Sequence, residues 1–213
     1  MGAWGTGLYS GDFAMDLRGT IAAISRLPFD GDRLAEILCE SEPGAAQDSS
    51  NEDHTVFWLV AADQFAKRGI DCPRVREMAL TIINHGTDSA AAEKLGMKPP
   101  DLHKRQRSLA ELRGRLVTFA PERAKPRKVL KKPQHFLFEV GDVLIYPTSR
   151  GRCINPYFSS LEKMSWWQHD GWGAMVIAER GRAFDFFSWY RPLTIAAARA
   201  EPPSIDALLV DKT

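Results

Sequence analysis

Apolar positions recur at the helical period through the first half of the chain and at the strand period after it. Phe13, Leu17, Ile21 and Ile24 share one face of a helix that Ser10 or Asp12 would cap and Leu27-Pro28 would end. Residues 32–39 predict a short second helix, and the Ser-, Asp- and Glu-rich residues 41–53 predict a surface loop. Phe57, Val60, Ala61 and Phe65 predict a helix through Lys67, with Ser50 and Asp53 supplying the cap and Gly69 the stop. Val75, Met78, Ala79, Ile82 and Ile83 fit the i, i+3, i+4, i+7, i+8 template behind Pro73 at the first helical position. A short helical turn over 89–95 follows, and then a helix over 101–117 with Leu102, Leu109, Leu112 and Leu116 as its stripe.

Beyond residue 133 the period shortens. Phe136, Phe138 and Val140 alternate, Gly141-Asp142 turns, and the run Val143 to Tyr146 predicts a buried strand ended by Pro147. Residues 173–178 and 183–190 predict a hairpin with its turn at 179–182, and residues 205–210 a last strand or helical turn. The expectation is an α+β chain: an N-terminal helical domain over 1–119, a basic Pro-containing linker over 120–134, and a small antiparallel β barrel or bent sheet over 135–213.

Charge sharpens this division. The net charge is +1, yet residues 1–65 carry eleven acids against three arginines, and residues 101–132 carry eleven Lys and Arg against three acids. Lys104, Arg107 and Arg115 project from the outer face of the last helix, and Lys125, Arg127, Lys128, Lys131 and Lys132 continue the basicity through the linker. This set is a candidate polyanion-binding surface, with nucleic acid as the alternative partner, its bases stacking on the tryptophan loop from Trp166 to Trp172. The competing expectation is that the basic segment folds back on the chain's own acidic helices.

The composition, 44% hydrophobic and 26% charged, is that of an ordinary globular protein. No apolar run reaches the length of a membrane span, and the first residues lack the pattern of a secretory leader. The expected location is therefore cytoplasmic, with no membrane contact. Cys39, Cys72 and Cys153 are too scattered for a disulfide framework or zinc knuckle.

Chemistry-bearing motifs are scarce. The glycines of the opening Gly-Ala-Trp-Gly-Thr-Gly segment match neither dinucleotide nor P-loop spacing, and Trp4 is read as a core plug. The five histidines show no zinc-hydrolase spacing, there is no GxSxG, and no acid-x-Lys step of the metal-dependent nuclease type occurs. No catalytic residue, cofactor or metal is expected. An enzyme survives only as a site converging from His54, His85, His169, Asp142 and Asp170. The densest aromatic cluster is Ser165 to Trp172. Three tryptophans in one short loop predict a recognition surface for another protein, carried by Trp166, Trp167, His169, Asp170 and Trp172.

Two resemblances bear on this reading. Trp4, Gly5, Gly7, Leu8, Tyr9, Asp12, Ala14 and Asp16 resemble the opening of a family of uncharacterised bacterial proteins, W-G-x-G followed by D-x-A-x-D, which implies a helical N-terminal domain and no established activity. Phe138, Val140, Gly141, Asp142 and Val143 are similar to the small β domains of immunity proteins in bacterial toxin systems. With the aromatic loop and the scarcity of catalytic motifs, the resemblances lead to the expectation of an immunity or regulatory factor that binds and blocks a partner protein.

Overall fold

The computed structural model describes residues 5–123, 127–149, 152–153, 170–199 and 204. It is an α+β chain with helices first and an antiparallel sheet after them. It separates into two compact units, Met1–Lys131 and Lys132–Thr213.

The first unit is built on one helix. The run from Phe57 to Phe65 is buried throughout, so α4 (His54–Lys67) has no face to offer solvent over most of its length and must be surrounded. It is: α1 (Asp12–Ile24), α3 (Pro43–Gln47), α5 (Pro73–Asn84), α6 (Thr87–Lys94) and α7 (Pro99–Val117) all pack against it. α1 contributes Ala14, Leu17, Ile21 and Ile24, and Phe13 is only half buried. α2 (Gly31–Ser41) starts on Asp30, whose side chain accepts the Arg33 amide at 2.8 Å. Gly31 is required there, because a β-carbon would lie 1.8 Å from the Asp71 carbonyl oxygen.

Several local expectations are corrected. α1 stops at Ile24, before Leu27, and neither Ser10 nor Asp12 caps it by a side-chain hydrogen bond. The loop expected over 41–53 contains α3, begun by Pro43. Asp53 precedes α4 without capping it. The Ser50 amide turns onto Asp48 and the Asp53 amide onto Asn51, so the carboxylates there serve local turns or none. Met78 is exposed, leaving Val75, Ala79 and Ile82 as the buried stripe of α5.

In the second unit β1 (Val143–Ser149), β2 (Arg152–Cys153), β3 (Gly171–Ala183) and β4 (Phe187–Arg199) form a sheet of order β2–β1–β3–β4, antiparallel throughout and open rather than closed into a barrel. β1 continues through Pro147 instead of ending before it. Pro147 pairs with Trp172 on β3, while the described residues of β2 pair with Thr148 and Ser149, so among the described residues no neighbour needs the missing proline donor.

The hairpin turn falls at Phe184 to Phe186, not at 179–182. Gly181 belongs to β3, where it makes room for the Trp189 indole; a β-carbon would stand 2.6 Å from that ring. Phe184 and Asp185 both take positive φ, 52° and 62°, as the central residues of a turn that the Phe186 amide closes onto the Ala183 carbonyl at 3.1 Å. The alternating Phe136, Phe138 and Val140 are also not a strand. Their segment crosses the hairpin, with Phe136 and Phe138 edge-on to Tyr190 and the Arg180 and Arg182 guanidiniums 4.2 and 4.3 Å from the Phe136 ring. Residues 205–210 lie outside the described residues.

Candidate functional site

From Gly5 onward the glycine-rich segment is a structured loop tied to the helices beneath it by two buried carboxylates, while Trp4, expected as a core plug, lies outside the described residues. On one side the Ser10 amide and hydroxyl both turn back onto the Gly7 carbonyl, at 3.3 and 2.9 Å. That carbonyl also accepts Arg105 at 3.3 Å. Arg105 is itself buried and grips Asp88 with two hydrogen bonds, of 2.5 and 2.7 Å, while Thr55 donates to the same carboxylate at 3.2 Å. Its position is a consequence of period: residues 105, 109, 112 and 116 form the inward stripe of α7, and Arg105 stands where an apolar side chain would otherwise be.

On the other side Asp63, 1% exposed, sits inside the apolar run of α4. A buried carboxylate there needs partners. The Tyr9 hydroxyl donates to it, Lys67 lies at 2.7 Å, and Arg115 reaches its other oxygen at 2.6 Å. Burial alone would raise the Asp63 pKa, but the hydrogen bonds from Lys67, Tyr9 and Arg115 outweigh it and hold the group below its ordinary value. Burial, and then donation to Asp63, push the Tyr9 phenol well above its ordinary value, so it stays protonated. Lys67 and Arg18 each stand 5.4 Å from the Tyr9 ring centroid.

These anchors hold the loop as one wall of a half-open groove of about 780 Å³. Its other walls are the start of α4, α6 and the turn into α7. The lining is apolar at Leu8, Phe13, Val56, Ala92, Leu95 and Met97, and charged at Asp12, Glu52, Asp53 and Lys98 besides the two ion pairs Asp88–Arg105 and Asp101–Lys104. Leu95 is 65% exposed at the lip. A second pocket of about 190 Å³ lies beside Tyr9, Asp63, Lys67 and Arg115.

The sequence-predicted residues are dispersed. Lys104 pairs with Asp101 at 3.1 Å, Arg115 with buried Asp63, and Arg107 is exposed. Arg127 donates to the carbonyls of Ser25 (2.8 Å) and Phe29, and the Leu130 amide to Arg26 at 2.7 Å. This part of the linker thus docks on backbone carbonyls after α1 rather than on carboxylates. Burial lowers the Arg127 pKa from its ordinary value. Lys128, Lys131 and Lys132 are exposed, and Lys125 lies outside the described residues.

Of the aromatic cluster, Trp166, Trp167 and His169 also lie outside them. Asp170 is exposed and its amide donates to Thr148 at 3.0 Å, while Trp172 is a half-buried strand residue opposite Pro147. His54 contacts the Ala45 carbonyl at 2.8 Å, and His85 is exposed at the end of α5. Among the described residues no group of three or more His, Cys, Asp or Glu is placed to hold a metal ion, and no helix is long and apolar enough to cross a membrane.

Sequence reasoning missed Asp63, Asp88, Arg105 and the groove. One signal was available: an acid at 63, followed by Gln64, within Val-Phe-Trp-Leu-Val-Ala-Ala-Asp-Gln-Phe interrupts a run whose other members are apolar around the whole helix. The pairing of Asp88 with Arg105 has no such mark, because each reads as a solvent position on an amphipathic helix. Protein-family models, curated proteins and solved structures were all compared with the chain, and none matches it.

Proposed function

We propose that this chain is a protein-binding factor, of the immunity or regulatory kind, that engages its partner through the groove beneath the N-terminal loop. The observation that carries the reading is the groove itself: a concave surface with an exposed apolar lip at Leu95, whose loop wall is fixed by the Tyr9–Asp63 and Arg105–Asp88 anchors. A recognition surface held in shape before binding loses less conformational freedom on association. Such anchoring is what a binding site needs.

Nucleic-acid binding through the basic helix and linker has less support. Lys104, Arg115 and Arg127 are already engaged, with Asp101, Asp63 and backbone carbonyls respectively. That leaves Arg107, Lys128, Lys131 and Lys132 as the described, exposed and unpaired members of the set.

The test is affinity capture by the full-length chain from its native host, repeated with Ala92→Trp, which fills the groove, and Leu95→Arg, which changes its exposed lip. The expected result is one partner recovered by the wild type and lost by both variants, with their melting curves unchanged. Recovery of the same partner by both folded variants contradicts the reading.

A further inference from the structure

Resting on that protein-binding reading, we infer that the groove takes a cationic amphipathic segment of the partner, its apolar face against Leu8, Phe13, Val56 and Leu95 and its basic side chains toward Asp12, Glu52 and Asp53. The charge balance of the lining gives the sign. Asp88 is spent on Arg105 and Asp101 on Lys104, so those pairs contribute no net charge. The remaining charged groups are three acids, Asp12, Glu52 and Asp53, against Lys98, and none of these four makes an ion pair among the described residues.

The unspent state of Asp53 is the most specific feature. It occupies the position before α4 where an aspartate ordinarily accepts an amide hydrogen bond from the helix, and it accepts none. Its carboxylate is left half buried beside Glu52, and burial first, then the Glu52 charge, raise its pKa. An incoming ammonium or guanidinium relieves both penalties at once. Asp12 lines the groove from the first turn of α1. Apolar walls without this charge would accept any hydrophobic segment; three acids discriminate against an acidic one through like-charge repulsion.

The experiment titrates the full-length, isotope-labelled chain with three synthetic peptides: lysine and leucine at helical spacing, glutamate and leucine in the same pattern, and lysine and serine in the same pattern. The lysine–leucine peptide is expected to bind about tenfold more tightly than either control. Its amide shifts should fall in residues 5–14, 52–56 and 91–98. Glu52→Gln with Asp53→Asn should weaken it by about fivefold, while Lys128→Gln, remote in sequence from the lining, leaves it unchanged.

Equal binding of the two leucine peptides, shifts outside those residues, or indifference to the Glu52 and Asp53 substitutions overturns the inference. If a host partner is lost on Ala92→Trp while the lysine–leucine peptide fails to bind, the chemistry proposed here is wrong and the protein-binding reading stands. If the peptide binds the groove as described while the host yields no partner, the chemistry stands and the functional reading falls.

Discussion

Asp63 is the side chain on which the N-terminal loop most depends, since Tyr9, Lys67 and Arg115 converge on it from the loop, from its own helix and from α7. Replacing it by Asn removes the charge that organises three donors. The cost at pH 7 is expected to be about 2 kcal/mol, below the full penalty for a broken buried pair because Lys67 and Arg115 are each half exposed and regain water. Its pH dependence has a definite direction. The folded-state pKa lies below the unfolded value of about 3.9, so the stabilisation is complete above that pH and is lost as the pH falls through the folded value. Urea unfolding should therefore show a larger gap between wild type and Asp63→Asn at pH 7 than at pH 3. A gap that does not shrink in acid contradicts this assignment. Tyr9→Phe removes the hydrogen bond donated to Asp63 and the one accepted from Gln64, and should cost about 1–2 kcal/mol.

Among elements, the β3–β4 hairpin has its strain concentrated at one residue. Phe184 is a bulky residue at φ 52° in a turn that favours Asn, Asp or Gly. Phe184→Asn should raise the melting temperature, by the equivalent of about 0.5–1 kcal/mol. Gly181→Val should lower it by about 1–3 kcal/mol, because the new side chain enters the space of the Trp189 indole. The hairpin shows where sequence reading stops. Two strands around a glycine-containing polar tetrapeptide were legible, and Gly181 looked like the turn. Its actual role, space for a cross-strand tryptophan, depends on a register that no local pattern encodes. The helices were legible for the opposite reason: the burial of Leu17, Ile21, Leu109 and Leu112 follows from spacing alone. The groove was not legible, since its lining comes from four segments that only the packing around α4 brings together.

Across the whole molecule, the opposition between an acidic first third and a basic stretch around the linker resolves into separate local fates. Lys104 and Arg115 are paired, Arg127 fastens the chain to the carbonyls after α1, and Lys128 and Lys131 remain in solvent. Arg127→Ala is expected to cost the first unit about 1–2 kcal/mol, whereas Lys128→Ala should stay within about 0.5 kcal/mol of wild type. Equal effects would contradict the docked linker. The acidic excess, by contrast, leaves Asp12, Glu52 and Asp53 along the groove without an ion-pair partner among the described residues, which makes that surface the centre of the functional account. Amide hydrogen exchange on the full-length chain, free and bound to the partner captured from its host, tests this most directly. The account predicts new protection in residues 5–14, 52–56 and 91–98; protection confined to the sheet of the second unit, or to the exposed basic face of α7, would contradict it.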